Sequence, residues 1–148
     1  MTSTEIVRPD QMVQNYSGEF AQVLPSHIKP EVFTRVAVGA LRRTPALMQA
    51  AGKDPGSLMT ALLEAARLGL EPGTDEYWLT PRGNAVLGIV GWQGEIELIY
   101  RAGAVVSVKA EIVREGDEFS FDPAVDERPH HKVDWFGSRG DVLGAYAY

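Results

Sequence analysis

Apolar residues first fall into a sustained helical period in "SHIKPEVFTRVAVGALRRTP". Phe33, Val36, Ala37, Ala40 and Leu41 make one stripe, Pro30 suits a first helical turn and Pro45 a stop, so the spacing predicts a helix of about three turns. A second helix is predicted through "SLMTALLEAARLGL", with Ser57 as N-cap and Gly69 just past its end. Its wealth of Leu and Ala predicts deep burial. The period then changes: "YWLTPRGNAVLGIVGW" reads as a hairpin of two apolar strands around a Pro-Arg-Gly-Asn turn, where Gly83 and Asn84 tolerate positive φ. A third helix is predicted over about Gln93 to Ala102, stopped by Gly103.

Beyond it "AVVSVKAEIV" alternates in period two. Val106, Val108, Ala110 and Ile112 point one way and Ser107, Lys109 and Glu111 the other, so one sheet face is wet or holds a ligand. A turn, a short strand and a polar loop follow, and "VLGAYAY" reads as a last strand. Residues 1–26 lack sustained periodicity and are expected to be a flexible arm with a short helix in "QMVQNYSGEFAQVL", ahead of a folded domain over 27–148. The pattern is α+β: an antiparallel sheet, made of a hairpin plus further strands, packed with about three helices.

Composition removes several function classes. With no cysteine, the chain has no disulfide, thiolate zinc site or cysteine nucleophile. No apolar run approaches the roughly 18 residues of a membrane span and no stretch resembles a basic segment followed by the apolar one of a secretory leader, so a cytoplasmic protein is expected. The net charge of −6 is unevenly spread. Residues 27–114 hold ten basic and nine acidic side chains, whereas 115–148 hold three and eight. A nucleic-acid site is compatible with this only if the middle segment gathers its cations on one face.

Several constellations could carry such a role, each beside a plainer one. Arg35 and Arg42 lie seven apart on the first predicted helix and could lay two guanidinium groups along a phosphate backbone; alternatively they form a solvated face, with Arg42 and Arg43 complementing the helix dipole. "GWQG" offers backbone N–H groups for an anion and Trp92 as a stacking ring, or Trp92 is core. Arg101 follows Glu97 at i+4, which alone could account for it, and Lys109 on the wet strand face either reaches a ligand or is a routine surface lysine. The enzyme readings are weaker. His130 and His131 are adjacent and read as loop histidines, and the carboxylates of Glu115, Asp117 and Glu118 read as a solvated turn, or else as a Mg²⁺ site or an acid/base pair. No phosphate loop or nucleophile elbow is present.

In order, "LPSHIKPEVFTRVAVGALRRTPAL", "ALLEAARLGLEPG", "LTPRGNAVLGIVGWQGEIELIYRAGAVVSVKAEIVREGDEFSF" and "VDERPHHK" resemble the RecT/Red beta family of phage single-strand annealing proteins. The resemblance implies a recombinase that binds single-stranded DNA, pairs complementary strands without ATP or bond chemistry, assembles into rings or filaments, and works beside a phage exonuclease. It implies no required cofactor, with Mg²⁺ at most a modulator of annealing. Carried over onto this chain, the family pattern falls on Gly91, Trp92, Gly94, Arg101 and Gly103, with Lys109 and Arg114 on the following strand. Trp92, Gln93, Arg101, Lys109 and Arg114 are thus expected in or beside a DNA groove, with Arg35, Arg42, Arg43 and Arg82 in a second tier. Gln93 stands where relatives often have a basic residue, and Trp92 where a Tyr is common. Family members continue beyond the point matching Tyr148, so the chain is expected to lack their C-terminal part. Two other classes remain open: an oligomerising structural protein without DNA affinity, and a metal-dependent phosphodiesterase using the 115–118 carboxylates with His130 or His131.

Overall fold

A computed structural model describes residues 8–148, which divide into two compact units at Ala102 and Gly103. The first unit is mostly helical: α1 (Pro9–Asn15), α2 (Ser17–Val23), α3 (Pro30–Arg43), α4 (Pro45–Lys53) and α5 (Pro55–Leu68) precede a hairpin, β1 (Tyr77–Arg82) and β2 (Ala85–Val90), and then α6 (Trp92–Arg101). The second holds β3 (Ala110–Arg114), β4 (Glu118–Ser120), β5 (His130–Lys132) and β6 (Val142–Ala147). The class is α+β. The strands form three separate two-stranded antiparallel ribbons, and the described residues hold more helices than the three expected.

Proline placement explains the added helix α4. Helices α1, α3, α4 and α5 each open on a proline at the first turn, where the fixed φ fits and the missing N–H breaks no bond. Pro45, expected as a stop, thus starts the next helix, with Thr44 extended between the two. Asp54, not Ser57, caps α5 by accepting from the Ser57 N–H at 3.0 Å. The Ser57 hydroxyl instead accepts from the Val86 N–H at 2.8 Å, which fastens the start of α5 to β2. Gly69 takes φ +66° beyond the last turn, as the sequence predicts, and the Leu70 N–H returns to the Ala65 carbonyl at 3.0 Å.

Residues 9–23, read from sequence as part of an arm, contribute Val13 and Phe20 to the core, and Phe20 meets Phe33 edge-on with centroids 5.2 Å apart. Residues 1–7 of that arm lie outside the described residues. Asp10 on α1 is buried, and its carboxylate accepts from Arg42 Nε and Nη2 at 3.1 and 3.0 Å, tying α1 to α3. Burial pushes this carboxyl up, but the hydrogen bonds and charge of Arg42 and the charge of Arg8 hold it below its ordinary value.

The hairpin alternates cleanly. Tyr77, Leu79 and Pro81 oppose Val90, Gly88 and Val86 on the face that carries the core residues Tyr77 and Val86. Gly88 is required because an added Cβ would collide with the Tyr77 hydroxyl, which donates to Glu64 Oε2 at 2.7 Å. Gly83 alone takes positive φ in the turn; Asn84 does not.

Polar groups hold the second unit together, and among the described residues Val113 is its one buried apolar side chain. Asp117 accepts from Arg139 Nε at 2.8 Å and Nη2 at 2.7 Å, from the Arg114 N–H at 2.8 Å, and contacts His131 Nε2 at 3.0 Å. The His131 Nδ1 reaches the Tyr146 hydroxyl at 3.1 Å, and the rings of Phe119, His131 and Tyr146 cluster around this network. The ribbon β3–β6 begins later than the sequence period predicts, with Lys109 and Tyr148 exchanging both backbone hydrogen bonds at 2.9 and 3.0 Å just beyond it. Its apolar side is the open one: Ile112, opposite Ala145, is exposed, whereas Lys109 and Glu111 lie opposite Tyr148 and Tyr146. The aromatic rings of β6 and the Asp117 network gather on the Val113 side, which reverses the expected burial.

Candidate nucleic-acid interface

Trp92 is 67% exposed at the start of α6. It is held outward by the glycines around it. The Gly91 N–H donates to the Glu76 carbonyl at 2.9 Å, and a Cβ on Gly91 or Gly94 would collide with the carbonyl of Asp75 or Glu76. The glycines of "GWQG" therefore serve a close backbone approach. The expected anion pocket is not formed in that way: one donor is spent and two carbonyl oxygens lie against the helix start.

Beside Trp92 runs the outer face of the hairpin. Trp78 pairs with Ile89, Thr80 with Leu87 and Arg82 with Ala85, and Trp78, Leu87 and Ile89 are all exposed, Trp78 to 48%. The Trp78 indole nitrogen lies next to Gly91, one residue before Trp92. Arg82 makes no ion pair among the described residues, and so the face carries two tryptophans, aliphatic side chains and one available guanidinium. Trp78 was not singled out in the sequence, although the period-two pattern of "YWLTPR" places it with Thr80 and Arg82.

Arg101 has partners within the chain. Its Nη1 donates to the Leu68 carbonyl at 2.5 Å and its Nη2 to the Gly69 carbonyl at 3.1 Å, with Glu97 at 3.3 Å. It thereby caps the C-terminal end of α5, where carbonyls lack helical partners. Arg42 is likewise engaged by Asp10, and Arg35, exposed on the same helix, lines a groove of 340 Å³ that also holds Glu31. Two parallel guanidinium groups free for phosphates are thus not what α3 presents. Arg43 and Gln93 are exposed.

In the second unit Arg114 Nη1 donates to the Gly140 carbonyl at 3.0 Å. Lys109 Nζ lies 6.0 Å from the Tyr148 ring centroid. The carboxylates of "EGDEF" do not converge: Asp117 is taken by Arg139 and His131, Glu118 faces Lys132 at 3.2 Å, and Glu115 lies beside Asp141 N. Among the described residues no cluster of three metal-ligating side chains occurs, and the phosphodiesterase reading gains no ligand set.

The family model described as the RecT family matches residues 31–148. The chain belongs to the RecT family. It is 37% identical over 124 residues to Protein RecT of Escherichia coli (strain K12), an alignment covering 77% of this chain and 45% of that protein. The chain thus spans less than half the length of this RecT relative. The family match runs from the second residue of α3 through α6, the hairpin and the whole second unit, so every RecT-based site residue falls within it. Of these, Trp92, Gln93, Arg35, Arg43, Arg82 and Lys109 are open to a ligand, while Arg42, Arg101 and Arg114 donate to carboxylate or carbonyl groups of the chain itself.

Proposed function

We propose that this RecT-family chain binds single-stranded DNA and anneals complementary strands without ATP, as a homo-oligomeric ring or filament in phage-type recombination beside an exonuclease. The observation that carries the reading is the exposure of Trp92 and Trp78 on a glycine-fixed surface within the region that matches the family. Annealing requires no nucleophile. It needs bases held with their pairing edges accessible and the repulsion between two phosphate backbones lowered, while Watson–Crick pairing supplies the driving force. An indole ring stacks on any base, so Trp92 and Trp78 suit sequence-independent holding, and Arg82 on the same hairpin face can neutralise a phosphate. Assembly is supported by the second unit, where Val142, Leu143 and Ile112 remain exposed and both ribbons have open edges. No cofactor enters this scheme, Mg²⁺ acting only by screening phosphates.

The test is titration of the chain against a fluorescent single strand, then against that strand followed by its complement, at several salt concentrations. Salt-sensitive binding and tighter retention of the sequentially added pair are expected, with Trp92→Ala reducing both at unchanged thermal stability. A folded chain that binds nothing at low salt refutes the reading and favours an assembling scaffold without DNA affinity.

A further inference from the structure

The second unit is acidic, and its cations are unequally employed. Arg139 is bound to Asp117, Lys132 to Glu118 and Arg114 to the Gly140 carbonyl. The remaining two, Lys109 and Arg128, make no ion pair among the described residues, although Glu111 and Glu127 are close in sequence. They converge instead on one ring: Lys109 Nζ lies 6.0 Å and Arg128 Cζ 5.7 Å from the centroid of Tyr148, which is 40% exposed. Lys109 arrives there because it is the cross-strand partner of Tyr148, and Arg128 comes from the loop between β4 and β5.

Tyr148 does not stand alone. Tyr146, two residues earlier on the same strand face, is stacked on it with an interplanar angle of 11° and centroids 6.1 Å apart, and Phe119 lies 5.4 Å from Tyr146. His131, bonded between Asp117 and Tyr146, fixes the tilt of this row. An immobilised aromatic row loses little freedom when a planar ligand joins it, and two unpaired cations at its end attract negative charge. A ligand that is flat and apolar on its faces and anionic at its flanks matches both features; a nucleotide within a single strand has that chemistry.

We propose that Tyr148, with Tyr146 behind it and Lys109 and Arg128 beside it, is a base-stacking site for single-stranded DNA, made of residues other than those around Trp92. This rests on the annealing reading and adds a specific binding locus to it. On binding, a base takes a place against the Tyr148 ring, while Lys109 and Arg128 move from the ring to the phosphates on either side.

The experiment compares the unaltered chain with Tyr148→Ala, Tyr148→Phe, Lys109→Ala and Arg128→Ala, using a fluorescent oligothymidylate and a matched strand carrying abasic sites. Tyr148→Ala is expected to weaken binding to the intact strand about tenfold, Tyr148→Phe to restore it, and the abasic strand to show no difference between the two, since only stacking distinguishes them. Lys109→Ala and Arg128→Ala should each make the slope of log K against log[salt] shallower by about 0.7. A photo-cross-linkable base should mark the peptide containing Tyr146 and Tyr148, which reports contact whatever the variants do to folding. Binding by the unaltered chain that Tyr148→Ala leaves within twofold, or a cross-link confined to other peptides, overturns this site and leaves the annealing reading standing. Absence of binding by the unaltered, folded chain overturns both.

Discussion

Arg101 separates two explanations of one motif. The family pattern puts it beside DNA, whereas its guanidinium donates to the Leu68 and Gly69 carbonyls at 2.5 and 3.1 Å. A hydrogen bond to a charged group contributes roughly 1.5–3 kcal/mol, and a cation at a helix C-terminus adds about 0.3–1 kcal/mol. The side chain is partly exposed, which weakens both terms by solvent screening, so Arg101→Ala is expected to cost about 2 kcal/mol. For a unit of this size that lowers the thermal midpoint by about 8 °C. Circular dichroism at helical wavelengths measures the midpoint, and oligonucleotide binding is measured well below it. Arg101→Lys should recover only part of the loss, because an ammonium cannot bridge two carbonyls as a planar fork does. If Arg101→Ala instead melts like the unaltered chain but loses DNA, the capping role is refuted and the residue is a DNA contact.

Three further outcomes follow from the packing. Gly91→Ala and Gly94→Ala drive a Cβ into the carbonyls of Asp75 and Glu76; each should destabilise by about 1–3 kcal/mol in urea titration, and an unchanged midpoint would show that the 75–76 loop yields freely. Tyr77→Phe removes the 2.7 Å bond to Glu64 but strands no buried acceptor, since Glu64 is exposed, and should cost about 0.5–1.5 kcal/mol by the same assay. Asp117 is held well below its ordinary 3.8 by the Arg139 hydrogen bonds, with the Arg114 N–H and His131 adding to them against the opposing push of burial. Its depressed value means its contribution is complete above 3.8 and is lost as the pH falls below that. Near-ultraviolet dichroism of the Tyr146 cluster should therefore weaken in acid, and Asp117→Asn should show the weakened signal at neutral pH; a cluster signal indifferent to both changes would contradict the network.

The helices were legible where period and punctuation agreed. In α3 the stripe and Pro30 point to the same element, and at Gly69 the left-handed cap follows from residue type alone. Pro45 misled because proline marks a boundary without saying which side is helical, and only the Leu47, Ala50 and Ala51 face, buried against α5 neighbours, shows that a new helix starts there. Residues 9–23 carry too few apolar positions for a periodic signal, yet Val13 and Phe20 suffice once the partner surface exists. At the site, the exposure of Trp92 could not be read from its own neighbours. It depends on carbonyls more than a dozen residues upstream, to which Gly91 and Gly94 are fitted. The carbonyl bonds of Arg101 were illegible for a related reason: their acceptors are 32 and 33 residues away, and a local i+4 partner in Glu97 concealed them.

Charge and stacking divide the proposed work in a way that suits annealing. Much of the cationic complement stabilises the fold: Arg42 compensates buried Asp10, Arg101 caps α5 and Arg139 neutralises Asp117. What faces outward at the two aromatic surfaces is rings with few cations, Trp78 and Trp92 with Arg82 in one unit, Tyr148 with Lys109 and Arg128 in the other. A strand held mainly by charge would be bound tightly at low salt, with no preference for bases over backbone. A strand held by stacking engages base faces and leaves the Watson–Crick edges unoccupied by protein donors. Those edges are what a complementary strand must read. The sparse cations then serve a second requirement, lowering backbone repulsion enough for a second strand to approach without making release of the duplex prohibitively slow. On this reading a net charge of −6 is compatible with DNA annealing, because affinity for the single strand comes from aromatic area, and the acidic remainder limits the grip on the more highly charged duplex.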